Sequence, residues 1–158
     1  MIVDYEDKYM NSVKDLLLEL ATYIASIDKE GYNIVTDKTR EETFLEDMKT
    51  LKENDGIIRL YIENDKVIGL IMGTIIKGED THSFHAPQRG RINELIVSKD
   101  SRSVGVGSKL ITDMENYLKE KGCKDILIEV FGYNDLAYDF YIKHGYHNRL
   151  FEVTKTIN

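Results

Sequence analysis

The residues best suited to chemistry in this chain lie between positions 91 and 146. They are a loop with an arginine and two glycines, two glutamates inside apolar runs, and an asparagine–tyrosine segment near the end. The loop, Arg102-Ser103-Val104-Gly105-Val106-Gly107-Ser108, runs into a helical pattern carried by Leu110, Ile111, Met114, Tyr117 and Leu118. Backbone N–H groups at a helix N-terminus have no intrahelical partner and sit at the positive end of the macrodipole. Two glycines let an anion approach that backbone without Cβ interference, so a phosphate-bearing ligand is expected there. Gly107-Ser108-Lys109 reverses the order a Walker A loop requires, and a dinucleotide-binding turn would need glycine where Leu110 stands. A ligand-free strand–turn–helix, with glycines merely easing the turn, is the plain alternative.

Glu94 interrupts the apolar run Arg91–Val97, and Glu129 does the same in 125–130. A carboxylate in such a place is costly unless it faces water, pairs with an arginine such as Arg91, or is used as a base. Cys123 has no histidine neighbour in sequence and reads as a small core residue, which leaves no placed nucleophile. His82 and His85 lie three apart in a loop with no third ligand nearby, so no metal is expected.

These residues need a frame to hold them. Met10, Val13, Leu17, Leu20, Ile24 and Ile27 make one amphipathic helix. Thr39 and Glu42 suggest a capping box opening a second, with Phe44, Leu45, Met48 and Leu51 inward. Ile57–Glu63 and Lys66–Ile76 read as strands joined by a hairpin at Asn64-Asp65. Strand 92–97, helix 105–121 and strand 125–130 form a βαβ unit, whose strands run parallel. A helix over 135–143 follows, and Tyr146–Ile157 is β-rich, one long strand or two short ones. The expectation is an α/β fold: a single domain over 1–158, with a mixed β-sheet flanked by helices.

The pattern Arg102-x-x-Gly105-x-Gly107 after Glu94-Leu95-Ile96-Val97 resembles the pyrophosphate loop of the GCN5-related N-acetyltransferase (GNAT) family. The segment from Asn134 through Ala137, Phe140, Tyr141, Lys143 and Gly145 to Tyr146 resembles that family's most specific motif. The likeness runs from Met1 to about Phe151 and departs at the tail, where only thirteen residues follow Gly145. It implies an acyl-CoA N-acyltransferase-like fold and acetyl-CoA as acyl donor, held by Arg102, Ser103, Val104, Gly105, Val106, Gly107 and Ser108. It also implies a splayed strand whose Leu95, Ile96 and Val97 backbone groups meet the pantetheine arm, with one amide serving as an oxyanion donor. Asn134 and Tyr138 join the cofactor-binding set; Asn134 is equally a plain N-cap. Tyr141 falls on the tyrosine that protonates the leaving sulfur, and its plain alternative is core packing. Glu94 or Glu129 would be the general base, Glu94 being favoured.

Composition narrows the partners. Lys plus Arg is 21 and Asp plus Glu is 28, a net charge of −7. That opposes nucleic-acid binding and favours approach of a cationic amine, small-molecule or peptide. The longest apolar run, Val67–Ile76, is too short to span a bilayer. No signal-like N-terminus is seen, and one cysteine suits a reducing compartment, so the cytoplasm and no membrane are expected. The tail leaves a homodimer open, with the last hairpin either abbreviated or completed by a partner chain's strand. The rival readings are a non-catalytic acyl-CoA-binding regulatory module and an interaction protein acting through its first two helices.

Overall fold

The computed structural model describes residues 1–102 and 105–158; the expectations for Ser103 and Val104 lie outside the described residues. In chain order come β1 (Ile2–Asp4), α1 (Met10–Ile27), α2 (Thr39–Glu53), β2 (Ile57–Glu63), β3 (Lys66–Ile76), β4 (Glu79–Asp80) and β5 (His85–Ala86). Then follow β6 (Arg89–Val97), α3 (Val106–Glu120), β7 (Ile126–Ile128) and α4 (Asp135–Lys143). A five-stranded sheet runs β1-β2-β3-β6-β7, and β4 and β5 form a separate two-stranded ribbon. All pairings in the main sheet are antiparallel except β6 with β7, so it is mixed as expected.

The β2–β3 hairpin turns at Asn64 and Asp65, both at positive φ (49° and 61°), which matches the right-handed twist of the strands it joins. Alternation along β3 sends Leu70 and Met72 into a core with Val13, Leu16, Leu17, Phe44 and Leu51 of α1 and α2. Ile71 faces the other way, into a core with Leu110, Ile111, Met114 and Leu118 of α3. Helix α3 can lie this close because the sheet beneath it is bare at two places. A Cβ on Gly73 would sit 2.5 Å from Met114 Sδ, and one on Gly90 would sit 2.5 Å from Leu118 Cδ1.

Three expectations need correction. The capping box does not form: Lys38 is the N-cap of α2 with no side-chain bond, and the Thr39 hydroxyl instead accepts from Thr36 N–H at 2.8 Å. Leu45 is 62% exposed, and the inward place on that face goes to Asp47, three residues after Phe44 and four before Leu51. Residues 147–158 form no strand; they are exposed, with no described partner for their backbone.

Helix α2 ends on Asp55 in the left-handed region, with Gly56 N–H donating to the Leu51 carbonyl at 2.7 Å. A Cβ on Gly56 would stand 2.9 Å from both the Leu51 Cα and the Gly73 carbonyl oxygen, neither of which can swing aside. Gly56→Ala should therefore destabilise the fold by about 1–3 kcal/mol, read as a lowered urea midpoint. Gly132→Ala, with nothing within 4 Å of its Cβ, should leave that midpoint nearly unchanged.

Candidate active site

Strand β6 is the axis of the site. It pairs with β3 over its whole length but with β7 only at Gly90, Arg91 and Ile92. Past Ile92 the two parallel strands part. Residues 93–97 then have β3 on one side and no paired strand on the other; there the Val97 carbonyl accepts from Arg102 Nε, and the remaining backbone groups on that side have no strand partner.

Where the gap begins, β6 carries an extra residue. Met72 pairs with Glu94 and Gly73 with Ile92, leaving Asn93 as a bulge. Ile92 and Ile96 would share one face of a regular strand, yet Ile92 packs with α3 and Ile96 with α1 and α2. The bulge reverses the alternation, so Glu94 turns with Ile96 toward the α1/α2 side instead of into the core under α3. The Asn93 side chain accepts a hydrogen bond from the buried Thr74 hydroxyl at 2.9 Å.

Glu94 makes no ion pair among the described residues. Burial, and second the negative charge of Asp47, push its carboxyl up to about 8. Asp47, on the inward face of α2, is itself raised to about 6 by burial and by Glu46, and its Oδ2 is buried with no hydrogen-bond partner. Tyr141 of α4 is pushed up to about 12 by burial, and second by the charge on Glu94. Three groups from three elements thus share one poorly solvated field. Glu129 stands elsewhere: its side chain is 87% exposed, beside Arg91 Nη2 at 3.5 Å.

Gly105, the N-cap of α3, is left-handed at φ 75° and has no side-chain cap. The first-turn N–H groups of Val106, Gly107 and Ser108 are consequently not consumed by a cap. The Val106 side chain is buried under the sheet, and Gly107 lies against the Phe140 ring. The Ser108 hydroxyl lies 3.0 Å from His144 Nε2, while His144 Nδ1 lies 2.7 Å from the Phe140 carbonyl. A carbonyl only accepts, so in the neutral ring Nδ1 carries the proton and Nε2 accepts from Ser108.

Arg102 reaches across to α1. Its Nε donates to the Val97 carbonyl at 3.2 Å, Nη2 is 3.7 Å from Glu19, and its guanidinium lies over the Tyr23 ring. An open groove of about 450 Å³ lies beside it, lined by Asp15, Glu19, Tyr23, Ser26 and Lys99. Leu95 is half-buried and Ile96 buried on β6 beside the gap. Asn134 is the N-cap of α4: its Oδ1 accepts from Ala137 N–H at 3.2 Å and from the Tyr23 hydroxyl at 3.4 Å. Its Nδ2 donates to no described group. Tyr138 is on the exposed side of α4, accepting from Asn148 Nδ2 at 2.9 Å.

Sequence reasoning missed Asp47 and His144. Asp47 was detectable, because Phe44, Asp47, Met48 and Leu51 recur at i, i+3, i+4 and i+7, placing a carboxylate on a buried stripe. His144 had no such signal, since its link to Ser108 joins residues 36 positions apart.

A model of the acetyltransferase (GNAT) family matches residues 20–146. The uncharacterized N-acetyltransferase MJ1530 of Methanocaldococcus jannaschii is 34% identical over 85 residues, which is 53% of this chain and 48% of that protein. The matched stretch thus spans about half the length of this curated relative. Among solved structures, the F44R mutant of the Bacillus halodurans BH1408 protein superposes with a TM-score of 0.87 at 15% identity, covering 100% of this chain and 99% of its own. AAC(6')-Iy, solved with the bisubstrate analogue CoA-S-monomethyl-acetylneamine, gives 0.69 at 14% identity, covering 99% and 98%.

Folded Glu94 keeps its proton up to about 8, whereas an unfolded chain releases it near the ordinary 4.5. Between those values the folded state binds more protons. The contribution to stability is complete below about 4.5 and is lost as pH rises through about 8. Glu94→Gln keeps the shape and cannot ionise, so its Tm should fall less than the parent's between about pH 5 and about pH 8.5. Equal falls in calorimetry would contradict this environment for Glu94.

Proposed function

The chain belongs to the acetyltransferase (GNAT) family, and from that premise we propose that it transfers an acetyl group from acetyl-CoA to a primary amine, directly, in a ternary complex, as one domain over 1–158. The observation that carries this reading is the gap between β6 and β7 with Glu94 and Tyr141 sharing its electrostatic field. The CoA-linked analogue in AAC(6')-Iy, a neighbour in fold, supports CoA as the carrier of the acyl group. The acceptor is an amine that arrives as a cation, in keeping with the net charge of −7 and with Asp47 beside Glu94. The cytoplasm is the proposed compartment; among the described residues no helix is long and apolar enough to cross a membrane.

The pyrophosphate rests on the free N–H groups at the start of α3, and the pantetheine arm pairs with the open side of Leu95, Ile96 and Val97. One amide of that edge donates to the thioester oxygen as it becomes an oxyanion. Asn134 adds a contact through its unused Nδ2. The amine nitrogen attacks the carbonyl carbon, the C–N bond forms, and the C–S bond breaks. Glu94 in its ionised form, which prevails above about 8, takes one proton from the incoming ammonium and so frees the nitrogen lone pair; the second N–H proton leaves to solvent as the amide forms. An alkyl ammonium ordinarily holds its proton to about 10.4, so a carboxylate raised to about 8 is a far better match than one near 4.5. Exposed Glu129, already beside Arg91, has no comparable environment.

Tyr141 gives its proton to the departing sulfur. At about 12 it donates reluctantly to a thiolate whose thiol sits near about 8.5. Part of that elevation comes from the charge on Glu94, and uptake of the amine proton removes that charge. The base, on being protonated, makes the acid stronger at the moment the thiolate forms.

Thiol release from acetyl-CoA across a panel of amines tests the activity. Tyr141→Phe keeps the ring and its packing, so CoA affinity should hold while single-turnover transfer slows by roughly 10²–10⁴. A loss below about threefold in CoA-saturated, folded protein would reduce Tyr141 to core packing.

The anchor has its own test. A Cβ on Gly107 would meet Phe140 at 3.4 Å, an ordinary contact, so Gly107→Ala should fold. It should still weaken acetyl-CoA binding by about tenfold to about a hundredfold, the worth of one charge-assisted bond. Unchanged affinity by calorimetry would remove this loop from the binding site.

A further inference from the structure

Tyr23 is an aromatic residue that the cores do not use. It lies three residues after Leu20 and seven after Leu16, so it continues the inward stripe of α1. Leu16 and Leu20 pack in the core between α1, α2 and the sheet, yet Tyr23 joins neither of the two cores. It is half-buried all the same, against polar partners. The Arg102 guanidinium carbon lies 5.7 Å from the ring centre, and the Tyr23 hydroxyl donates to Asn134 Oδ1 at 3.4 Å.

Those two partners stand on opposite sides of the gap. Arg102 is tied to the end of β6 through the Val97 carbonyl, and Asn134 caps α4 on the chain that follows β7. The end of α1 is fastened to the same two sides. Glu19 Oε1 accepts from Lys99 N–H at 2.8 Å and lies 3.7 Å from Arg102 Nη2. Glu30, just past the helix, accepts from the Tyr133 hydroxyl at 2.6 Å. Tyr23 falls between these fastenings in sequence, and both of its partners keep donors to spare. Arg102 is held by Nε and by one face of its guanidinium, and its Nη1 makes no hydrogen bond to a described group. Asn134 Oδ1 takes the Ala137 N–H and the Tyr23 hydroxyl, which fixes the amide and leaves Nδ2 to donate elsewhere.

We propose that Tyr23 is a donor-positioning residue: its ring holds Arg102 and its hydroxyl holds Asn134, so that two hydrogen-bond donors face each other across the gap. The chemistry of the two ends fits an acyl-CoA. A guanidinium suits the pyrophosphate, and an amide N–H suits a carbonyl of the pantetheine arm. An arginine that is loose before binding gives up its rotamer freedom when the ligand arrives. One already stacked and hydrogen-bonded has given it up in folding, and so binds more tightly with no added contact. The inference rests on the donor-binding reading above and adds to it a residue from the helix on the other face of the sheet.

Calorimetric titration of the full chain with acetyl-CoA tests it, using Tyr23→Leu, Tyr23→Phe and Tyr23→Leu placed in an Arg102→Ala background. Because Tyr23 belongs to neither core, Tyr23→Leu should fold with an unchanged Tm. It should weaken acetyl-CoA binding by roughly tenfold to a hundredfold, whereas Tyr23→Phe, which keeps the ring under Arg102, should cost less than about threefold. In the Arg102→Ala background the same Tyr23→Leu change should cost less than about threefold, since the ring has no guanidinium left to place. A parent that binds no acetyl-CoA would bring down the donor-binding reading and this inference with it. With donor binding intact, four results would overturn the inference alone. They are equal affinity in Tyr23→Leu, an undiminished loss without Arg102, a lowered Tm that makes the ring a packing residue, and a raised acceptor KM at unchanged donor affinity.

Discussion

A strand presents its side chains alternately only while its ladder stays in register, and β6 loses register at Asn93. Without that extra residue Glu94 would point, with Ile92, into the core beneath α3. With it, the carboxylate turns to the α1/α2 side, just where β7 stops pairing. The two events are mechanically linked, because a bulge twists and bends its strand, and a bent β6 cannot keep a straight parallel neighbour. One inserted residue therefore opens the sheet, leaves residues 93–96 without a second strand partner, and aims the carboxylate. The glycines under α3 and the tight end of α2 serve this arrangement by holding the sheet between two helical layers that permit no drift.

Burial converts that geometry into electrostatics. Asp47, Glu94 and Tyr141 come from α2, β6 and α4, and no cation among the described residues forms an ion pair with either Asp47 or Glu94. Each negative charge raises the proton affinity of the next group, so the cluster resists carrying full charge near neutral pH. A surface site with the same residues would be solvated, and its groups would keep ordinary values. The cost is borne by folding and is sustained by the two cores on either side of β6. Such a cluster suits a cationic visitor, which relieves the mutual repulsion on entry and supplies a proton to move.

Much of this frame was legible in the sequence because periodicity reports burial. Helices α1, α3 and α4, the β2–β3 hairpin and the parallel β6/β7 pair follow directly from apolar spacing and turn residues. The bulge was not legible. Arg91–Val97 mixes polar and apolar residues in a way that fits a regular strand equally well, and only pairing with β3 reveals the extra residue. Leu45 and Asp47 misled for a related reason: hydrophobicity favours Leu45 as the inward residue, whereas the helical angle set by Phe44 and Leu51 selects Asp47. The tail misled in another way. Its alternation reads as a strand, but a strand exists only where an edge receives it, and local pattern says nothing about which chain owns that edge.

Under the proposed function, an anchor for one end of a long donor must keep step with an acid near the other. Helices α3 and α4 are separate in sequence, yet they meet through two contacts: Gly107 against the Phe140 ring, and the Ser108 hydroxyl against His144. Phe140 and His144 also stack on each other at 4.2 Å, and Tyr141 follows Phe140 directly on the same helix. The first turn of α3 and the phenol of Tyr141 therefore belong to one packed unit, with no mobile linker between them. In the reading proposed above, the distance from pyrophosphate to sulfur in the bound donor is matched by a fixed distance within that unit. Binding energy gained at the α3 N-terminus then orients the thioester against Glu94 and Tyr141, which is how a remote contact lowers a chemical barrier.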